Sequence, residues 1–159
     1  MSVPYQETLS GTPLLRKPPG ERHELICSRL HRTVQASVSA LTSTRLLAPR
    51  DEVRLSPTTL VRPDLALVTA ATGKLWLAAE IVSSDDHATD TVVKKQLYEE
   101  LKLPRLWMVD PRYDNVELYS AGPYGMVLQG ILGGNEVLTE KLLPDFQISI
   151  TELFKPASL

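Results

Sequence analysis

The chain has 159 residues, with 17 Lys and Arg against 19 Asp and Glu and a formal charge of −2. That length suits one domain with its own core, and 43% hydrophobic with 23% charged residues excludes a disordered or membrane-spanning chain. A single cysteine, Cys27, excludes an internal disulfide and a multi-cysteine metal site, and fits a reducing cytoplasm. Met1 to Gly20 lacks the basic-then-apolar layout of a secretory signal, and no run reaches the eighteen or so apolar residues of a membrane helix. The near-neutral total hides an asymmetry: residues 1–63 are net basic and residues 64–159 net acidic. Such a split suits a metal-dependent enzyme on an anionic polymer, although folds also partition charge without consequence.

In chain order, Val3–Leu9 reads as a strand, Ser10–Gly11 as a turn and Pro13–Lys17 as a second strand. Residues 1–19 thus form a hairpin ahead of a core spanning 20–155, within a single domain covering 1–159. Pro18–Pro19–Gly20 breaks the chain before a helix from Glu21 to about Leu41. Its residues Ile26, Leu30, Val34, Val38 and Leu41 fall on one arc about 120° wide. Arg22 and Arg29 lie just off that arc, with Arg32 further round. After Pro49 the period becomes two, and Val53–Leu55, Val61–Val68 and Leu75–Val82 read as strands. The last of these is apolar on both faces, as a covered central strand requires.

Ser84–Asp85–Asp86 supplies possible caps for a helix reaching about Lys102, which Pro104 stops. Leu106–Val109 is another buried strand. Tyr113–Ala121, Tyr124–Leu132 and Glu136–Leu143 complete the strands, with Gly133–Gly134–Asn135 as a hairpin turn. The order predicts a mixed α/β architecture.

Two features rise above a generic domain. Glu80 sits inside the most apolar strand, where an unpaired carboxylate costs several kcal/mol, so it must be neutral, paired or cation-bound. Asp64 opens a neighbouring apolar strand. Capping or pairing with an arginine accounts for either acid alone; two on adjacent strands invite a site. The second feature is the helix after Asp85. Val93, Leu97 and Leu101 define an apolar arc about 80° wide, Asp90 falls within it, and Lys94 lies only about 20° beyond. Asp90, Lys94 and Tyr98, spaced four apart, form one ridge beside the buried stripe rather than on the solvent face. An exposed Asp–Lys pair is the plain alternative. Two carboxylates on adjacent strands can hold a hard divalent cation, and a nearby lysine can assist a metal-bound water and offset phosphate charge.

These residues resemble the PD-(D/E)XK nuclease superfamily, and within it the Uma2 family of restriction-endonuclease-like proteins. Val61–Arg62–Pro63–Asp64 resembles the family's Pro-Asp motif and Glu80–Ile81–Val82–Ser83 its Glu-Val-Leu-Ser strand. Asp90, Lys94 and Tyr98 match its Asp-x3-Lys-x3-Tyr helix, and Leu106–Trp107–Met108–Val109–Asp110–Pro111 its strand ending in Asp-Pro. Glu7, Gly11 and His23 resemble an opening Glu-x3-Gly hairpin and a helix-starting His. Ser10 departs from the usual Asp of that hairpin, and Pro104–Trp107 from the usual loop.

The resemblance implies a restriction-endonuclease-like mixed β-sheet flanked by helices, with additional β-hairpins. It implies that Asp64 and Glu80 ligate Mg²⁺, with Mn²⁺ as a substitute, alongside the carbonyl of Ile81. The superfamily's strand lysine is here Val82, and Lys94 would supply the function from the helix. Asp90 would position Lys94, and Tyr98 would support the same ridge. His23 lies at the centre of the first helix's apolar arc, where a core role competes with a site role. Glu24, about 40° outside that arc, is a possible helix-borne acid. Glu7 is a further candidate acid, and Asp110 reads as a turn cap.

The leading expectation is therefore a Mg²⁺-dependent DNA endonuclease, with Arg22, Arg29 and Arg32 as candidate phosphate contacts. Two alternatives stand beside it: a silent nuclease-fold protein that binds nucleic acid or a protein partner, and a hydrolase of RNA or another phosphodiester. Double-strand cutting would favour a homodimer. Ser83–His87 contains Ser, Asp and His, but adjacency in sequence is not triad geometry.

Overall fold

In the computed structural model, the described residues are 3–83 and 86–157. A six-stranded mixed sheet has the order β10-β9-β8-β7-β6-β3, formed by β3 (Thr44–Leu46), β6 (Leu65–Thr69), β7 (Leu75–Ile81), β8 (Arg105–Asp110), β9 (Asn115–Gly122) and β10 (Gly125–Gly133). Among the described residues only β7 and β8 run parallel, and the helical segment at Thr89–Glu100 lies between them in the chain. A second sheet of order β2-β1-β5-β4 joins β1 (Tyr5–Leu9), β2 (Thr12–Arg16), β4 (Val53–Ser56) and β5 (Thr59–Val61). β11 (Val137–Thr139) and β12 (Gln147–Ser149) pair separately.

Both faces of the large sheet are covered. On one, α1 (Glu21–Val38) and α3 (Ile150–Phe154) bury Ile26, Leu30, Val34 and Leu153 against Leu65, Leu77 and Trp107. Each fully buried side chain of this size contributes about 1.5–3 kcal/mol. On the other face, Leu97 and Tyr98 of α2 (Lys95–Glu100) pack over Ala78, Val82 and Met108. Glu80 shares that second face, because side chains alternate along β7. Among the described residues no helix is long and apolar enough to cross a membrane.

Several expected boundaries change. The first helix stops at Val38 rather than Leu41. The Val61–Val68 run is two strands, because Pro63 lacks an N–H for the ladder and Arg62–Asp64 turns the chain from one sheet into the other. Gly133–Asn135 makes a turn but not a hairpin: only Val137–Thr139 of the expected Glu136–Leu143 strand forms, and it pairs with β12. β3, β12 and α3 were not expected. Of the proposed helix caps, Ser84 and Asp85 lie outside the described residues.

The second helix differs most. Thr89–Lys94 is a π-helical segment running into α2, and the element ends at Glu100. The expected apolar stripe is buried only at Leu97: Val93 is 43% and Leu101 42% exposed, whereas Asp90 and Lys94 are each 1% exposed. A π segment widens the turn and re-aims the side chains that follow it. The polar ridge takes the inward position because its partners wait there.

Candidate metal and phosphodiester site

The site is assembled from the β1–β2 hairpin, α1, Arg50 before β4, Asp64 after β5, β7, the π segment and α2. Asp64 is fixed through both carboxylate oxygens and its carbonyl. Its Oδ2 accepts from the Ile81 N–H at 2.8 Å, tying it to the adjacent strand. Its Oδ1 accepts from Arg50 at 3.1 Å and lies 3.5 Å from His23 Nε2. Its carbonyl accepts from His31 Nε2 at 2.7 Å and from the Cys27 thiol at 3.6 Å. His23, Cys27 and His31 are four apart and so form one ridge of α1, laid along Asp64. Burial opposes ionisation of Asp64, but the His23 contact and the Ile81 N–H outweigh it and hold its carboxyl below the usual range.

Arg50 was not anticipated. It occupies the left-handed region at φ 59°, a conformation costing a non-glycine residue roughly 1–2 kcal/mol. It is held there by both oxygens of Glu24, at 2.7 and 2.9 Å, by Asp64, and by its own N–H to the Pro63 carbonyl. Glu24 is therefore a partner of Arg50 beside Asp64.

A second cluster lies under the π segment. Lys94 Nζ sits between Glu80 Oε2 at 2.6 Å and Glu7 Oε2 at 2.7 Å. Tyr98 donates its hydroxyl to the same Glu80 oxygen at 2.6 Å. Arg16 bridges Glu7 at 2.7 Å and Asp90 at 2.9 Å, and Asp90 also accepts from the Ser83 N–H. Asp90 bonds Arg16 and the Ser83 N–H rather than Lys94, and acts on Lys94 by charge, while the hairpin carries Glu7 and Arg16 across the helix to Lys94 and Asp90.

The charges do not balance. Three buried carboxylates, Glu7, Glu80 and Asp90, face two buried cations, Arg16 and Lys94. Burial, reinforced by Glu7, Asp64 and Asp90, pushes the Glu80 carboxyl up to about 8, with Lys94 opposing. Glu7 falls below its ordinary value despite burial, because Lys94 and Arg16 hold it ionised. Lys94 is raised: desolvation works against its charge, but Glu80, Glu7 and Asp90 together prevail. Glu80 is the surplus acid.

Asp64 and Glu80 each stand one residue beyond the Leu65–Ala79 pair that ends the β6–β7 ladder, and Lys94 and Tyr98 both reach Glu80. The Ile81 carbonyl faces His23 Nε2 at 3.2 Å, so this oxygen and Asp64 Oδ1 converge on one imidazole nitrogen. His23 is therefore not a core residue. Its other nitrogen, Nδ1, is buried without a hydrogen-bond partner. The donors available to a cation are two carboxylates and a carbonyl, all hard oxygens, which suits Mg²⁺ because that ion keeps several waters. Among the described residues no three His, Cys, Asp or Glu side chains form a metal-holding group, so no closed cage exists.

The arginines divide. Arg22 is half exposed, bonded to Asp114 and the Pro111 carbonyl, beside a cavity of about 520 Å³ whose floor includes His23 and Ile81. Arg29 is buried and donates to the carbonyls of Leu153, Lys155 and Pro156, closing the end of α3, which removes it as a phosphate contact. Arg32 lines a separate cavity with Arg29. Asp110 accepts from the Arg112 N–H and guanidinium, the turn-capping role expected of it.

With two covered faces, a β7–β8 crossover and acids at the strand junction, the fold is a nuclease-like mixed α/β fold. It superposes on a crystal structure titled as "a putative nuclease belonging to DUF820 from Anabaena variabilis ATCC 29413", with TM-score 0.78 and 16% identity, covering 95% of this chain and 90% of that one. At that identity the likeness establishes the fold alone. Residues 4–151 match the Uma2 family, described as "Putative restriction endonuclease", and the chain belongs to that family. The comparison with curated proteins gave no match.

Proposed function

We propose that this protein is a Mg²⁺- or Mn²⁺-dependent endonuclease that hydrolyses DNA phosphodiester bonds. The observation that carries the reading is the convergence of Asp64 Oδ1 and the Ile81 carbonyl on one imidazole nitrogen, 3.5 and 3.2 Å from His23 Nε2, with Glu80 the residue before Ile81 on the same strand. Asp64, Glu80 and the Ile81 carbonyl would hold the cation, and His23 would give up the two oxygens it now faces. Bound there, the cation supplies an activated water and neutralises phosphate charge. Tyr98 orients Glu80 through Oε2. Lys94, held ionised between Glu7 and Glu80, offsets the negative charge that grows on the phosphate as it is attacked. Glu24 and Arg50 hold Asp64 in register.

One observation favours a silent nuclease-fold protein instead. Asp64, Glu80 and Lys94 are at most 4% exposed, and none of them lines the cavity. Plasmid cleavage separates the readings. Nicking or linearisation with Mg²⁺ or Mn²⁺, stopped by chelation and lost in Asp64→Asn and Lys94→Met, supports the nuclease. Equal residual cleavage in wild type and both variants would remove it, and binding without cleavage would select the silent protein. An RNA substrate in the same assay tests whether the sugar matters.

A further inference from the structure

The 520 Å³ cavity lies between the β1–β2 hairpin, the start of α1 and the ends of β7 and β8. It is of small-ligand size. Arg16, Lys17, Arg22 and Arg112 line it with Glu21 and Asp86, and the carboxylates that pair Arg16, Arg22 and Arg112 from behind, Glu7, Asp90, Asp114 and Asp110, do not line it. Tyr5, Leu15 and Pro19 give it apolar walls, and Leu15 is 72% exposed. The floor reaches His23 and Ile81, the atoms that border the candidate metal position.

Arg16 holds the link between cavity and site. Two of its three carboxylate partners, Glu7 and Asp90, are buried at 2.7 and 2.9 Å. The third, Asp86, is 40% exposed, lines the cavity and meets Nε at 3.3 Å. It is the longest and most solvated of the three, and therefore the one an incoming anion can replace.

We infer that this cavity receives an unpaired nucleotide, whose phosphate takes Asp86's place on Arg16 while its base rests on the Tyr5, Leu15 and Pro19 walls. The substrate is then single-stranded or locally unpaired nucleic acid. A stacked, paired base reaches such a cavity only by flipping out of its duplex, a cost an unpaired strand does not carry. Rings on apolar walls with cations along the rim are the combination that binds single strands. This rests on the nucleic-acid reading above, but binding without divalent cation tests it separately from cleavage.

Fluorescence anisotropy in EDTA with a labelled 12-mer, single-stranded or annealed to its complement, is the direct test. Wild type should bind the single strand more tightly. Asp86→Asn should tighten single-strand binding about threefold by removing the competing carboxylate. Glu100→Gln, the same charge change at an exposed site outside the cavity, should leave it unmoved, and Lys17→Ala should weaken it. Equal or tighter duplex binding, or an Asp86→Asn effect matched by Glu100→Gln, overturns the inference. Metal-dependent duplex cleavage without single-strand preference would leave the nuclease reading standing and this one fallen. Single-strand preference without cleavage would do the reverse.

Discussion

Glu80→Gln and Lys94→Met should differ several-fold in their cost to stability although they alter the same contact. The surplus carboxyl, pushed up to about 8 by burial, is the acid of this cluster readiest to hold a proton, so glutamine replaces it by a neutral amide of nearly the same shape. The Tyr98 hydroxyl keeps an oxygen acceptor, and Lys94 keeps Glu7. The cost should stay within about 1 kcal/mol. Lys94→Met leaves Glu7, Glu80 and Asp90 with Arg16 alone. Removing one partner of a buried pair costs about 3–5 kcal/mol.

The pH dependence carries the same logic. A carboxyl whose folded pKa lies above its ordinary 4.5 keeps its proton in the folded state while the unfolded chain has released it. Stability from this group is therefore complete below about 4.5 and is lost as pH rises to about 8. His23, also raised by Asp64 against its desolvation, adds to the decline above its ordinary 6.5, and Asp90, raised by burial, to that above 3.8. Glu7 and Asp64, both lowered, act in the opposite sense, gaining stability as pH rises through their usual range near 4, and His31, lowered by burial, does so as pH rises toward 6.5. Urea unfolding between pH 5 and 9 should show wild type losing several kcal/mol, with the slope much reduced in Glu80→Gln. An unchanged slope in that variant, or a loss at pH 7 equal to that of Lys94→Met, would refute the charge count.

Tyr98→Phe should cost about 1–2 kcal/mol by thermal or urea unfolding, since Glu80 Oε2 loses a 2.6 Å donor inside the core. Arg29→Met should destabilise by about 1–3 kcal/mol, because three carbonyls near the end of α3 lose their donor, yet leave DNA affinity unchanged in anisotropy measurements. Arg50→Gly should relieve backbone strain at φ 59° but release Asp64 and Glu24, so calorimetry should find weaker Mn²⁺ binding even where the melting temperature changes little.

Much of the architecture was legible because strands and helices announce themselves by period. The covered strand Leu75–Ile81, the helix from Glu21 and the acid inside an apolar run all follow from local pattern. The site's supports were not legible, for physical reasons. Arg50 lies in a connection with no periodicity, and only the fold carries it to Asp64 and Glu24. Arg16 lies 74 residues from Asp90, and Glu7, visible only as a candidate acid, lies 87 residues from the Lys94 it meets. His31 has a visible signal, the four-residue spacing from His23 and Cys27, which marks one helix ridge. The Val93–Leu101 stripe misled because hydrophobicity alone cannot register a π segment or a buried counter-charge. Glu80's partners decided which face of that helix turned inward.

The central claim is that Asp64, Glu80 and the Ile81 carbonyl share one divalent cation. Isothermal titration of Mn²⁺ into wild type, Asp64→Asn and Glu80→Gln, with and without a non-cleavable phosphorothioate oligonucleotide, tests it most directly. The account predicts one site per chain in wild type, strengthened by the oligonucleotide and lost in both variants. Wild-type binding that survives in both variants, or no binding even with the oligonucleotide, would contradict it.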